Sequence, residues 1–353
     1  MQDRTNVNAT RLAREAEGVE QPELSILIVN YNCAQDTIRA VQSVQANADD
    51  FRVEIIVVDN ASTDDSVDRI RAAVPDARVV ATGANGGYAW GNNVGISIAQ
   101  GRYVLVLNPD TEVSTDALQK AVAYLDEHQH VGLLGARSED GDGHVEQTCF
   151  RYPRLRDLFW RAFLPFSVLR RSRLFGDRRY RSLSLEDICD VEAVVGCFMM
   201  VPRRVIDEVG GLDDRFFMYS EETEWCWRIR KAGYQVHYHP DVRIIHYGGG
   251  STGGVSPWSA VETAKSQILF LRLTRGAGVA RVGTGLILLG DALRAAWFVP
   301  ISVTRAGRAR GAHWRARFVF LCKALIDQPK GQTPPPIPDT VAKAGFTETD
   351  SNA

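Results

Sequence analysis

Paired cysteines are missing. The 353-residue chain has six, Cys33, Cys149, Cys189, Cys197, Cys226 and Cys322, and no two are spaced as CxxC. That excludes zinc-ribbon and thioredoxin-like motifs. Several sit inside apolar runs and read as reduced core residues of a cytosolic protein. Uninterrupted apolar segments are missing too. The opening "MQDRTNVNATRLAREAEGVEQPE" has no apolar stretch of the kind a signal peptide carries. The most apolar C-terminal run, 282–303, is broken by Asp291, Arg294 and Pro300. It fits an interfacial helix better than a spanning one, which needs about 20 apolar residues with few charges. Charge of one sign is also scarce: the net is −2, which speaks against a nucleic-acid partner.

That small total hides an asymmetry. Residues 151–181 hold ten Arg against two Asp, and 265–325 hold eleven Lys and Arg against one Asp. Two basic segments on an acidic body suggest an anionic surface as partner, here the inner face of the cytoplasmic membrane. A soluble helical appendage that buries this face or forms an oligomer is the alternative, and the sequence leaves the oligomeric state open.

With 45% hydrophobic residues the chain has ample material for a large core. Runs rich in Val and Ile recur roughly every 25 to 30 residues: "LSILIVN" (24–30), "VEIIVVD" (53–59), "RVVAT" (78–82) and "RYVLVLN" (102–108). Near-continuous apolar strands are those buried on both faces of a parallel sheet. Helical stretches at 34–47, 64–74, 88–100 and 114–128 separate them, so the class is α/β. Later segments predict a strand at "VGLLGAR", a strand entering a helix at "DVEAVVGCFMMVPR" with Pro202 first in the helix, a short helix at 220–232, and two short strands in "YQVHYHPDVRIIHY". The expected division is a disordered tail over 1–22, a folded domain over 23–256, a basic helical extension over 257–325 and a disordered tail over 326–353. Within the folded domain, a first half covers about 23–112, a second half about 130–256, and an Arg-aromatic insertion 151–184.

Ligands of open α/β sheets bind beyond the carboxyl ends of the strands. Those ends are polar here: Asn30-Tyr31-Asn32, Asp59-Asn60, and Asn108-Pro109-Asp110. A lone carboxylate fixed by a proline suits a Mg²⁺ shared with a substrate diphosphate. It suits a turn or helix-capping Asp equally well. No glycine follows the first strand, so the dinucleotide fingerprint is absent and a dehydrogenase is excluded. Gly86, Gly87 and Gly91 follow the third strand and let a backbone approach a nucleotide or sugar closely. Glu221 and Glu222 open a helix with Ser220 as its candidate cap; favourable interaction with the helix dipole explains them as simply as catalysis does. His246 ends a strand, as a ligand or as a structural residue.

Six segments in order resemble glycosyltransferase family 2: "SILIVNYN", "IIVVDNASTDDS", "NGGYAWGNNVGI", "VLVLNPDTEV", "VVGCFMMVPRRVIDEVGGLDDRFFMYSEETEWCWRIRKAGY" and "VHYHPDVRIIHYGGGS". They span about 24–251, and the Asn-Pro-Asp variant with a basic extension looks like the rhamnosyltransferase-like branch. The resemblance implies a GT-A fold and inverting, metal-dependent transfer from a UDP- or dTDP-sugar to a glycan or polyprenyl-linked acceptor. It implies that Asp59 contacts the base near Asn30, Tyr31 and Asn32, and that Asn85, Gly86, Gly87 and Asn92 line the donor pocket. It implies that Asp110, beside Asn108, holds Mg²⁺ or Mn²⁺ with His246. Glu222 falls at the general base, with Glu221 as the other candidate and Glu224 in support. Two departures stand: Asn108 replaces the first Asp of the D-x-D motif, and a Glu-Glu pair replaces Glu-Asp. A nucleotidyltransferase and a non-catalytic binding protein of the same fold remain as alternatives.

Overall fold

The apolar runs form strands where their composition predicts them: Leu24–Asn30 (β1), Val53–Asp59 (β2), Arg78–Ala81 (β3) and Tyr103–Leu107 (β4). Every residue of β1 and β4 is buried, as strands covered on both faces are. The computed structural model describes residues 21–48, 52–164, 185–248, 257–297, 318–319, 322 and 331–336. Residues 1–20, 165–184 of the Arg-aromatic insertion, the glycine loop from 249, Phe298, Trp314 and most of the C-terminal tail lie outside the described residues.

Between the strands lie the helices Ala34–Gln45 (α1), Ser66–Ala73 (α2) and Gly87–Ile98 (α3). The chain continues through Thr111–Val113 (β5), Ala117–Glu127 (α4), Val131–Glu139 (β6), Cys149–Phe150 (β7), Leu155–Phe163 (α5), Cys189–Asp190 (β8), Ala193–Val194 (β9), Phe198–Pro202 (β10) and Arg203–Val209 (α6). Glu221–Lys231 (α7), Gln235–His246 (β11), Pro257–Arg275 (α8) and Ala277–Trp297 (α9) follow.

The main sheet runs β3-β2-β1-β4-β10-β6-β11-β5, with β8 paired to β11. Its N-terminal half, β1 to β4, is parallel, as is the β6–β11 pair. β10 enters antiparallel between β4 and β6. One face packs Ile38 of α1 and Leu118 of α4 against Ile26 and Leu105. The other packs Trp90 of α3 and Trp225 of α7 against Leu27 and Val106. Helices on both faces and mostly parallel pairing make this the expected α/β sheet.

Three details differ from the sequence reading. The expected pair of strands after residue 234 is the single strand β11, with its pairing to β6 interrupted between His239 and Arg243. Pro240 lies in that gap, where a missing N–H breaks the ladder without ending the strand. Pro202 ends β10 and caps α6 rather than opening the helix. Residues 331–336, within the expected C-terminal tail, lie across two loops: the Gln332 N–H donates to the Arg215 carbonyl (2.9 Å), and its side-chain amide to those of Gly86 (2.5 Å) and Asp214 (2.9 Å).

Helices α8, α9 and α5 pack together through Leu158, Ile268, Leu271 and Ala280. The two charges that interrupt the apolar run are turned inward: Asp291 is buried, pairs with Arg294 (3.4 Å), and Arg294 donates to the Arg161 carbonyl on α5. Among the described residues no helix is long and apolar enough to cross a membrane.

Candidate active site

The strand ends bring most of the sequence candidates to one edge of the sheet. Asn30 and Asp59 are paired residues of adjacent parallel strands. Both are buried, and the Asn30 amide donates to Asp59 Oδ1 (2.7 Å). The side-chain Oδ1 of Asn30 accepts from Thr37 Oγ1 (2.8 Å). Asp59 also accepts from Ser62, through its backbone N–H (3.0 Å) and its hydroxyl (2.5 Å). Asn32 takes a left-handed backbone (φ 53) and accepts from the Thr63 N–H (2.8 Å). Tyr31 is exposed beside it. The Asp59 carboxylate is thus fixed at the sheet edge.

The second group is the glycine turn before α3. Asn60 holds it, donating to Asn85 Oδ1 (3.1 Å) and the Gly87 carbonyl (3.0 Å) and accepting from the Gly86 N–H (3.3 Å). Gly87 has φ +86, and a Cβ there would lie 2.2 Å from the Phe217 carbonyl oxygen. Only glycine fits both conditions. Asn92 is buried in α3, its amide donating to the Tyr88 carbonyl (2.9 Å). The Tyr88 hydroxyl donates to the Gly196 carbonyl (2.8 Å), and a Cβ on Gly196 would lie 3.8 Å from Cβ of Glu222. Tyr88 therefore spans from the donor turn to the acidic pair.

The third group is Asp110, His246 and Glu146. The Asn108 N–H donates to the Cys197 carbonyl (3.1 Å), and the Thr111 N–H closes a turn onto the Asn108 carbonyl (3.2 Å). Pro109 sits inside that turn, so Asp110 leaves β4 in a set direction. β5 pairs with β11 and sets Thr111 opposite His246. His246 Nε2 lies 3.4 Å from Asp110 Oδ1, and Nδ1 lies 3.2 Å from Glu146 Oε2. Burial opposes charge on His246, but Asp110 and Glu146 outweigh it and move its pKa above the usual histidine range.

A divalent ion fits here on the chemistry of the donors. Two cis ligands at about 2.1 Å from one Mg²⁺ lie about 3 Å apart, close to the Asp110–His246 spacing. A carboxylate and an imidazole beside diphosphate oxygens suit Mg²⁺ or Mn²⁺. Cys197, adjoining this group, is held as a thiol: burial, then the Glu146 and Asp110 charges, push its pKa up to about 12. Among the described residues, Asp140, Asp142 and His144 also bring one ligand atom each within 4.8 Å of one another. Asp140 there accepts from the backbone N–H of Asp142 and of His144, which accounts for it as the tip of a turn.

The fourth group opens α7. Tyr219 and Ser220 are consecutive left-handed residues (φ 69 and 68), and the Ser220 side chain makes no cap bond. Two such residues cost on the order of 1–3 kcal/mol each and persist where the surroundings hold them. Helix α8 does so: Ser266 donates to the Met218 carbonyl (2.8 Å), and Trp258 meets Phe217 edge-on at 6.1 Å. The two glutamates that follow the turn differ in burial. Glu221 is buried, with no hydrogen-bond partner for Oε2. Burial and the adjacent Glu222 push its pKa well above the carboxylate range. Glu222 is half-buried, and its Oε1 accepts from Thr223 (2.8 Å). Glu224 is committed to Arg228 (2.8 Å) and braces the helix.

Asn60, Ser62, Tyr88 and Glu146 join the site without having been singled out. The first three lie inside segments that carry the resemblance. Glu146 had no signal, because only the 139–146 hairpin brings it to His246.

Comparison with known proteins follows the same lines. A family model described as "Glycosyl transferase family 2" matches residues 25–210. The chain is 28% identical over 309 residues to the N-acetylglucosaminyl-diphospho-decaprenol L-rhamnosyltransferase of Mycobacterium tuberculosis, covering 81% of this chain and 96% of that one. It is 27% identical over 213 residues to rhamnosyltransferase WbbL of Escherichia coli K12, covering 57% and 75%. The mannosyltransferase PcManGT of Pyrobaculum calidifontis, solved with GDP-Man and Mn²⁺, shares the fold at TM-score 0.53 and 16% identity, over 88% of this chain and 89% of that one. With more than half of its length matched by the family model, this chain belongs to glycosyl transferase family 2, as a rhamnosyltransferase-like enzyme of the GT-A fold.

Proposed function

We propose that the enzyme transfers a hexose or deoxyhexose, rhamnose foremost, from a UDP- or dTDP-sugar to a hydroxyl of a polyprenyl-linked or glycan acceptor. Transfer is metal-dependent and inverts the anomeric carbon. One observation carries this reading: Asp110–His246 and Glu222 flank the 196–197 backbone, which Tyr88 ties to the glycine turn held by Asn60 next to Asp59. The decaprenol-linked substrate in the name of the Mycobacterium relative supports a lipid-linked acceptor, since the likeness runs nearly end to end.

Asn30 and Asp59 hold the nucleoside, and the Asn85–Gly87 turn passes close to the donor. Asp110 and His246 would hold Mg²⁺ or Mn²⁺, which would supply positive charge against the negative charge that builds on the departing diphosphate. Glu222, the more accessible glutamate, accepts the acceptor hydroxyl proton. The hydroxyl oxygen bonds to the anomeric carbon on the face opposite the diphosphate, and the old C–O bond breaks with its electron pair going to phosphate. The products are glycoside, nucleoside diphosphate and a proton on Glu222. Glu221, neutral beside it, adds no second negative charge near the acceptor. Residues Arg156, Phe159 and Phe163 of α5, with Arg281, Leu289 and Leu293 of α9, are exposed and support docking on an anionic membrane surface.

The test is Glu222→Gln. It is expected to lower kcat by about 10²–10⁴-fold while leaving the donor Kd unchanged. Full activity in that variant removes Glu222 as the base.

A further inference from the structure

We propose that Glu146 is a positioning residue that sets the tautomer and ring orientation of His246; the inference rests on His246 acting with Asp110 in the reading above. Glu146 Oε2 faces His246 Nδ1 at 3.2 Å. The same oxygen accepts from Ser138 Oγ (2.7 Å), and the Glu146 N–H donates to the Ser138 carbonyl (2.8 Å). The carboxylate is therefore held at two points on the same residue. The hairpin that delivers it is closed by the Glu139–Val145 bridge and by the Asp140 N–H donating to the His144 carbonyl (2.9 Å). Its base is part of β6, where Ser138 pairs with Ile244 and Glu139 with Ile245 of β11. His246 is thus carried by β11, and Glu146 by the return arm of a hairpin that leaves the partner strand β6 and is tied back to Ser138.

A neutral imidazole has one N–H, and the partner of one nitrogen decides what the other presents. With the Nδ1–H given to Glu146, the Nε2 lone pair points at the Asp110 edge, 3.4 Å from Oδ1. Two electron-rich atoms facing each other at that spacing call for positive charge between them, supplied by a second proton on Nε2 or by a bound cation. This is the carboxylate–histidine arrangement that orients metal-ligating imidazoles, whose loss costs about 10–100-fold in metal affinity.

The first experiment needs no metal. In the Asp110→Ala protein, Glu146 is the carboxylate left facing His246. Imidazole ¹⁵N NMR of that protein, above the pH at which His246 titrates, is expected to show His246 protonated at Nδ1. The His246→Ala protein assigns the signal. Adding Glu146→Ala is expected to return the ring to the Nε2–H form that free imidazole side chains prefer. The second experiment measures Mn²⁺ affinity by EPR in the presence of dTDP. Glu146→Ala is expected to weaken it about 10–100-fold, and Glu146→Gln, whose Oε1 still accepts from Nδ1–H, to restore it to within a few-fold. An Nε2–H ring in Asp110→Ala, unchanged Mn²⁺ affinity in Glu146→Ala, or equal loss in Glu146→Gln would overturn the proposal. Absence of Mn²⁺ binding in the unaltered enzyme would instead strike at metal-dependent transfer, and the tautomer would still decide the role of Glu146.

Discussion

Glu221 and Glu222 are adjacent, yet their surroundings set them apart. On a helix, neighbours project about 100° apart, so one faces the protein and the other the cleft. Glu221 is the buried one, and its pKa is raised by desolvation and by Glu222. The folded state therefore binds a proton that the unfolded chain releases near pH 4.3. Stability must fall as pH climbs from there toward the raised folded value. Glu221→Gln, which cannot ionise, is expected to match the native Tm near pH 4 and exceed it increasingly toward pH 8, as read by calorimetry across that range. A Tm difference independent of pH would mean that Glu221 is not held neutral. The pair itself was legible in "YSEETEW". Which member is buried was not, because that depends on the left-handed Tyr219–Ser220 turn and the α8 residues that brace it. Glu146 was illegible for the same kind of reason: "SEDGDGH" marks a turn, but the β6–β11 pairing that brings the hairpin to His246 is a long-range contact.

At the level of elements, the Val/Ile runs marked β1, β2 and β4 nearly to the residue, since burial on both faces leaves no polar alternation to blur their ends. Helix α3 was equally plain between them. β11 was harder, because Pro240 signals a break in any sequence reading, whereas the long pairing with β6 on both sides of it keeps one strand. Asp291 and Arg294 read as interruptions that speak against a spanning helix, and the structure adds that they turn inward as a pair. What α5 and α9 leave outside is apolar and basic: Phe159 and Phe163 are 43% and 49% exposed, Leu289 and Leu293 41% and 43%. Such a face binds anionic bilayers through buried apolar area plus charge. The enzyme is expected to co-sediment with phosphatidylglycerol vesicles at low salt and not with phosphatidylcholine vesicles, and Phe159→Ser with Phe163→Ser to lose that binding. Equal binding of the double variant would assign the attraction elsewhere.

Across the whole molecule, chain order delivers each group of the site to the same sheet edge. Parallel β1, β2 and β4 end together, so Asn30, Asp59 and Asp110 follow from one rule about strand ends. That part could be anticipated from the alternation of strand and helix. The antiparallel insertion of β10 could not, yet it sets the 196–197 backbone between Asp110 and Glu222. Nor could the reach of Gln332 from the far end of the chain to the Gly86 turn. Metal-assisted nucleotide binding at Asp110 is the proposal that draws on all of these. The deciding measurement is a thermal-shift panel of UDP, dTDP, GDP, ADP and NAD, each with Mn²⁺, Mg²⁺ or EDTA, on the native enzyme and Asp110→Ala. UDP or dTDP is expected to raise Tm only with metal, and Asp110→Ala to abolish the rise. Stabilisation that survives EDTA, or that Asp110→Ala leaves intact, would contradict a metal–diphosphate site at this strand end.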